Sequence, residues 1–284
     1  MTEVLLLCVA IFGTSIQSVL RKIYNNKNCG GVFIFNSLTV LAAGLFFLFT
    51  AEMPLSFTAE MVPYSVGFAL AYATASIFSM LAILEGALSL SSLAISFSLL
   101  IPTLWGLFFY GDDASIWFFI GFGLLLISLV LINNTQGGGV KITFKWVLYA
   151  VLAFLGNGIC STVQTGYAKD FKNAGKSEFM ILALGVVFLI MLAIAIFTDR
   201  RGIPRALGGG WYLMVICGLA NGAVNLSVIL LTQTMPTSLM FPLISAGGIV
   251  LTSLVSIFIY KEKLSLLQYI GMLLGIGAIV FMSI

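Results

Sequence analysis

Ile259–Phe281 reads IYKEKLSLLQYIGMLLGIGAIVF, and far upstream Phe109–Leu131 reads FYGDDASIWFFIGFGLLLISLVL. When Tyr260 is set on Tyr110, Ser265 falls on Ser115, Ile270-Gly271 on Ile120-Gly121, Leu274 on Leu124 and Val280 on Val130. Glu262 then stands opposite Asp112. Six identities in 23 positions are weak in apolar sequence, but each stretch closes one half of the chain. The halves also begin alike. VLLLCVAIFGTS at Val4–Ser15 resembles VLYAVLAFLGNG at Val147–Gly158, with Gly13 on Gly156. Between these ends an offset of 146 sets Tyr72, Ser76 and Ser79 on Gly218, Gly222 and Asn225.

Composition says what the repeated material is. The 284 residues are 61% hydrophobic and 8% charged, where a soluble domain carries roughly 25% charge. Water could not hold so much apolar surface, so the sequence predicts an all-α integral membrane protein. Ten runs are long enough to be spans: Val4–Leu20, Val32–Thr50, Val62–Leu84, Leu88–Tyr110, Ile116–Ile132, Trp146–Tyr167, Phe179–Thr198, Trp211–Leu231, Ser238–Tyr260 and Leu264–Met282. They leave no room for a soluble domain. The first lacks a basic leader and a small-residue cleavage site, so it is expected to be a retained helix. Five spans per half is an odd number. Residues 1–136 and 137–284 must therefore cross the membrane in opposite senses, as two inverted five-helix repeats within one membrane domain.

Several functions fall away. The chain has no histidine, which excludes Ser-His-Asp catalysis and imidazole metal sites. Its four cysteines include no CxxC pair and read as structural thiols. The runs Gly137–Gly139, beside Lys141, and Gly208–Gly210 lack phosphate-loop spacing and read as linkers. The net charge of +3 gives no face for nucleic acid. No cofactor or metal is expected. Asp112-Asp113, the one adjacent carboxylate pair, reads as a loop turn and not as the centre of a membrane enzyme.

Two five-helix halves, each ending in Tyr–x–(Asp/Glu)–x–x–Ser, then Ile-Gly and a glycine-bearing helix, resemble the drug/metabolite transporter superfamily, EamA type. The resemblance covers essentially the whole chain, and the acidic turns Asp112–Gly121 and Glu262–Gly277 carry it best. Its usual Gly-Glu is here Gly111-Asp112 in one half and Lys261-Glu262 in the other. It implies a carrier of small metabolites with helices of both halves around a central cavity. It also implies cytoplasmic termini. The charge count says otherwise: ten basic residues lie in odd-numbered loops and three in even-numbered ones, which puts both termini outside. A bacterial or archaeal plasma membrane is the expected setting.

No charge falls at the middle of a span. Small multidrug relatives carry a carboxylate in their first helix, where this chain has Thr14, Ser15, Gln17 and Ser18. That favours a neutral or zwitterionic substrate. Uncharged polarity at helical spacing supplies the candidates for binding it. They are Gln17 on the first helix, Tyr72, Ser76 and Ser79 on the third, Asn157, Ser161 and Gln164 on the sixth, Asn221 and Asn225 on the eighth, and Ser245, which follows Pro242 on the ninth. An amino-acid-like substrate is the first expectation, and a drug or lipid-like cargo on the same fold is the alternative. Gly271 and Gly275 form GxxxG in the last helix, which suits close packing inside the chain and leaves a homodimer through that face as a further partner besides lipid. Trp105, Trp117, Trp146 and Trp211 fall near span ends, as membrane-interface anchors do.

Overall fold

A backbone N–H or C=O without a partner is costly in hydrocarbon, and a helix satisfies its own. The computed structural model describes residues 2–27, 29, 31–85, 91, 95–133, 143–198, 200, 202–258 and 265–282. Among the described residues the α-helices are α1 (Thr2–Asn26), α2 (Val32–Thr50), α3 (Met61–Glu85), α4 (Leu100–Phe109), α5 (Ile116–Asn133), α6 (Phe144–Asp170), α7 (Lys176–Thr198), α8 (Gly202–Gly209), α9 (Trp211–Leu231), α10 (Thr237–Phe258) and α11 (Leu266–Met282). Seven of them, α1, α2, α3, α6, α7, α9 and α10, are long and apolar enough to cross a membrane. Three shorter apolar helices, Phe97–Phe109, Ile116–Ile132 and Leu266–Met282, lie on the expected fourth, fifth and tenth runs. The glycine run 137–139, Lys141 and the second acidic turn, Lys261-Glu262, lie outside the described residues.

The chain is apolar on its outside. Phe49, Phe144 and Phe197 are each more than four-fifths exposed. The buried positions include many small side chains, among them Ala10, Ala43, Ala69, Ala153, Ala183, Ala246 and Ala278. This is the pattern of helices that face lipid with large residues and each other with small ones.

Two compact units form, and they cut across the sequence halves. Unit one is Met1–Ala73 with Val163–Gln233, and unit two is Thr74–Thr162 with Thr234–Ile284. Helices α3 and α6 each pass from one unit into the other. In unit one, α9 packs on α1 and on α2, and α2 packs on α7. At the end of α1, Lys27 Nζ donates to Tyr212 Oη at 2.7 Å and lies 5.5 Å from that ring's centroid. The hydrogen bond from Lys27 to Tyr212 raises the lysine's pKa, so the ammonium stays charged. The linker expected at Gly208–Gly210 is in part helical instead, since Gly208 and Gly209 close α8. Pro204 in α8 costs no bond, because first-turn N–H groups have no intrahelical acceptor. Ala206 is buried while Arg205 and Leu207 face outward, a division that suits the membrane interface.

In unit two, α11 packs along α5 and against α10, and α10 against α4. A 3₁₀ turn at Phe97–Leu99 leads into α4. Pro102 lacks the N–H that would bond the Ser98 carbonyl, and the coil tightens where that bond is missing. The helix α10 continues through Pro242.

The first acidic turn has a clear mechanical role. Gly111 has φ +64°, a conformation natural to glycine. The turn brings Asp112 back across α4, where the Gly106 carbonyl accepts the Tyr110 and Asp112 N–H groups at 3.2 and 3.1 Å. Asp112 Oδ2 then accepts the Ser238 N–H at 2.8 Å, satisfying an open donor in the first turn of α10. A Cβ at Gly106 would stand 2.5 Å from that carboxylate oxygen, so the crossing needs glycine. Asp112→Ala is expected to lower stability by about 1 kcal/mol, and Asp112→Asn by less, since asparagine caps as well as aspartate. Thermal melting in detergent reads both, and an unchanged melt for the alanine variant would reject the cap.

Candidate functional site

A side-chain amide brings donors and an acceptor into a region where no water can serve them. Amides on adjacent helices therefore pair. Unit one holds four that do so. On α9, Asn225 Nδ2 donates to Asn221 Oδ1 at 3.0 Å and to the Asn221 carbonyl at 2.8 Å, one helical turn away. Asn221 Nδ2 donates to Gln17 Oε1 on α1 at 3.0 Å. Gln17 Nε2 returns to the Gly13 carbonyl at 3.3 Å. From α6, Gln164 Nε2 donates to Asn225 Oδ1 at 3.0 Å and to the Asn225 carbonyl at 3.2 Å. One continuous chain of amides thus joins three helices.

Close backbone approach makes the chain possible. A Cβ at Gly13 would meet Val224 Cγ2 at 2.4 Å, so α1 lies hard against α9 beside Asn225. On another side of α9, a Cβ at Gly218 would meet the Thr39 carbonyl of α2 at 2.4 Å. Gln164 is 5% exposed, whereas Gln17, Asn221 and Asn225 are half-buried. Each hydrogen bond of these four side chains goes to another amide or to a backbone carbonyl. The cluster is polar and carries no formal charge.

The ten expected residues divide equally between the units. Gln17, Gln164, Asn221 and Asn225 come together in unit one, where Tyr72 is half-buried and stacks on Phe68 at 6.0 Å. Unit two holds Ser76, Ser79, Asn157, Ser161 and Ser245. There Asn157 Nδ2 donates to Ser98 Oγ at 2.5 Å, and Ser161 Oγ donates to the Asn157 carbonyl at 3.2 Å within its own helix. Ser76, Ser79 and Ser245 are half-buried.

Some polar partners were not visible in the sequence. Ser98 looks like any helical serine, which can serve itself against its own backbone. Gln233, which donates to the Ala168 carbonyl at 2.6 Å, sits at the break after α9. Glu178 is 8% exposed and accepts the Ser56 N–H at 3.2 Å. Its place in the first turn of α7, where an acid complements the helix dipole, was the available signal. Near it Asp170 accepts a hydrogen bond from Tyr64 Oη.

Comparison with known proteins now gives this arrangement a context. Residues 144–284 match the EamA-like transporter family. No curated protein matches the chain. A solved protein structure resembles it with a TM-score of 0.81, covering 99% of this chain and 96% of the other at 17% identity, a likeness of fold alone. Its match over 144–284 and its apolar spans make the chain an integral membrane protein of the EamA-like transporter family, within the drug/metabolite transporter superfamily.

Proposed function

We propose that the chain is a secondary transporter that moves a small neutral or zwitterionic metabolite, amino-acid-like compounds first, by alternating access. The observation that carries this reading is the uncharged chain Gln164–Asn225–Asn221–Gln17. A formal ion would need a counter-charge in a low-dielectric site, and the hydrogen bonds of this cluster include none. An uncharged or internally neutral solute needs only donors and acceptors, which amides supply in both kinds. Tyr72, Ser76, Ser79, Asn157, Ser161 and Ser245 are proposed to complete the substrate's surroundings.

The architecture we propose is ten spans in two inverted five-helix repeats, 1–136 and 137–284, with both termini outside. The packing of α5 on α11 supports it. A Cβ at Gly121 would meet Met282 Cγ at 2.7 Å, and one at Gly271 would meet Ile132 Cγ1 at 2.8 Å. Under the repeat offset, Gly121 corresponds to Gly271 and Ile132 to Met282. Each helix thus offers its partner the same surface, as across a two-fold axis. This contact also covers Gly271 and Gly275, the GxxxG face, with Ile132 and Ser128 of the same chain. Leu273, Ile276 and Val280 are the outward residues through which α11 could pair with a second copy.

Counterflow in proteoliposomes tests the function. Vesicles preloaded with unlabelled amino acids and related metabolites should accumulate a labelled member of the same set above protein-free vesicles. Transport of drugs or lipid-like compounds with no metabolite moved would replace this reading by the exporter alternative.

A further inference from the structure

The amide chain has a direction, and the backbone fixes it. A side-chain amide can be turned either way, but a backbone carbonyl only accepts. Gln17 faces the Gly13 carbonyl, Asn225 the Asn221 carbonyl and Gln164 the Asn225 carbonyl. Each of these three must turn its nitrogen there. Asn221 then has no choice either, since it lies between Gln17 Oε1 and Asn225 Nδ2. All four amides therefore point one way, and donation runs from Gln164 to Gln17.

The head of the chain is left with an open acceptor. Gln164 commits its Nε2 to two oxygens of Asn225. Its own Oε1 accepts no hydrogen bond among the described residues, although the side chain is 5% exposed. The partnerless oxygens sealed inside the fold lie elsewhere, at Ser37, Thr103 and Thr237 among others. Gln164 Oε1 is therefore buried with its residue yet within reach of a small group. Donation through the nitrogen also polarises the amide and makes its oxygen a better acceptor.

We infer that Gln164 Oε1 is the acceptor that recognises an ammonium N–H of the substrate, and that Gln17, Asn221 and Asn225 are positioning residues that keep an oxygen, not a nitrogen, at that point. This rests on the transport reading above and narrows its substrate class to small compounds with a free amino group. A charged donor is preferred because a hydrogen bond to an ion is the stronger kind. A carboxylate presented at the same place would set acceptor against acceptor.

The test is a binding comparison on purified full-length protein in detergent, so it does not depend on transport. Alanine, serine and leucine are titrated against their N,N,N-trimethyl betaines, which keep the charge and lose every N–H. The wild-type protein should favour the free amino compounds by tenfold or more. Gln164→Met, similar in length but without the acceptor, should erase that preference. Equal binding of the two sets by wild type, no binding of either, or a preference that survives in Gln164→Met overturns the inference. Preferential binding without counterflow would leave the inference standing and reject transport of these compounds.

Discussion

Replacing Asn225 by alanine is expected to reduce counterflow at least about tenfold at equal reconstituted protein. Asn225 is the middle of the chain, receiving Gln164 on one side and serving Asn221 on the other. Its loss leaves the Gln164 nitrogen only the backbone carbonyl of residue 225, and leaves Asn221 and Gln17 as a separate pair. Interhelical hydrogen bonds in membranes average about 0.6 kcal/mol and reach about 1.7. The one interhelical bond lost, with the bonds to Asn221 inside α9 and the polar groups left over, amounts to about 1–3 kcal/mol, and 1.4 kcal/mol is already a factor of ten. Asn221→Ala should cost less, since it spares the link between Gln164 and Asn225. Counterflow of both variants, read beside their melting temperatures, separates the explanations. A fall in melting with transport per folded molecule intact would make the chain a structural brace. Unchanged transport in Asn225→Ala would remove it from the substrate path.

What the sequence made legible follows from the physics of its pattern. Apolar runs show as helices because a span must be apolar along its whole length, and nothing distant is needed to see that. Asn221 and Asn225 show as a pair because one turn separates them. Gln17 and Asn221 are 204 residues apart, and no local rule predicts that bond. It follows from α1 meeting α9 at Gly13, which reads in sequence as one more glycine in an apolar helix. α8 escaped notice for the opposite reason. Its eight residues include three glycines and a proline, a composition that usually marks a loop, yet they form a helix that buries Gly202 and Ala206 one turn apart. The acidic turn was visible as a motif while its purpose was not, because Asp112 reaches forward 126 residues to the Ser238 N–H.

Gly121→Ala and Gly271→Ala are each expected to destabilise the chain by about 1–3 kcal/mol, the usual cost of overpacking a tight contact. At Gly121 the new methyl would stand 2.9 Å from the Ala278 carbonyl and 2.9 Å from the Met282 nitrogen. At Gly271 it would stand 3.0 Å from Leu131 Cβ and 3.1 Å from the Ile132 nitrogen. Backbone atoms cannot rotate aside, so in both cases α5 and α11 must separate. Leu125 and Ser128, fully buried on the facing side of α5, would lose contact as they did so. Unfolding in mixed micelles measures the cost, and the double variant should come close to the sum of the singles if the two contacts act independently. The comparison bears on more than packing. Surfaces exchanged across a two-fold axis should charge similar penalties for the same change at equivalent positions. One glycine tolerant and the other not would mean that only one of the contacts is tight, and the repeat would lose its support from this helix pair.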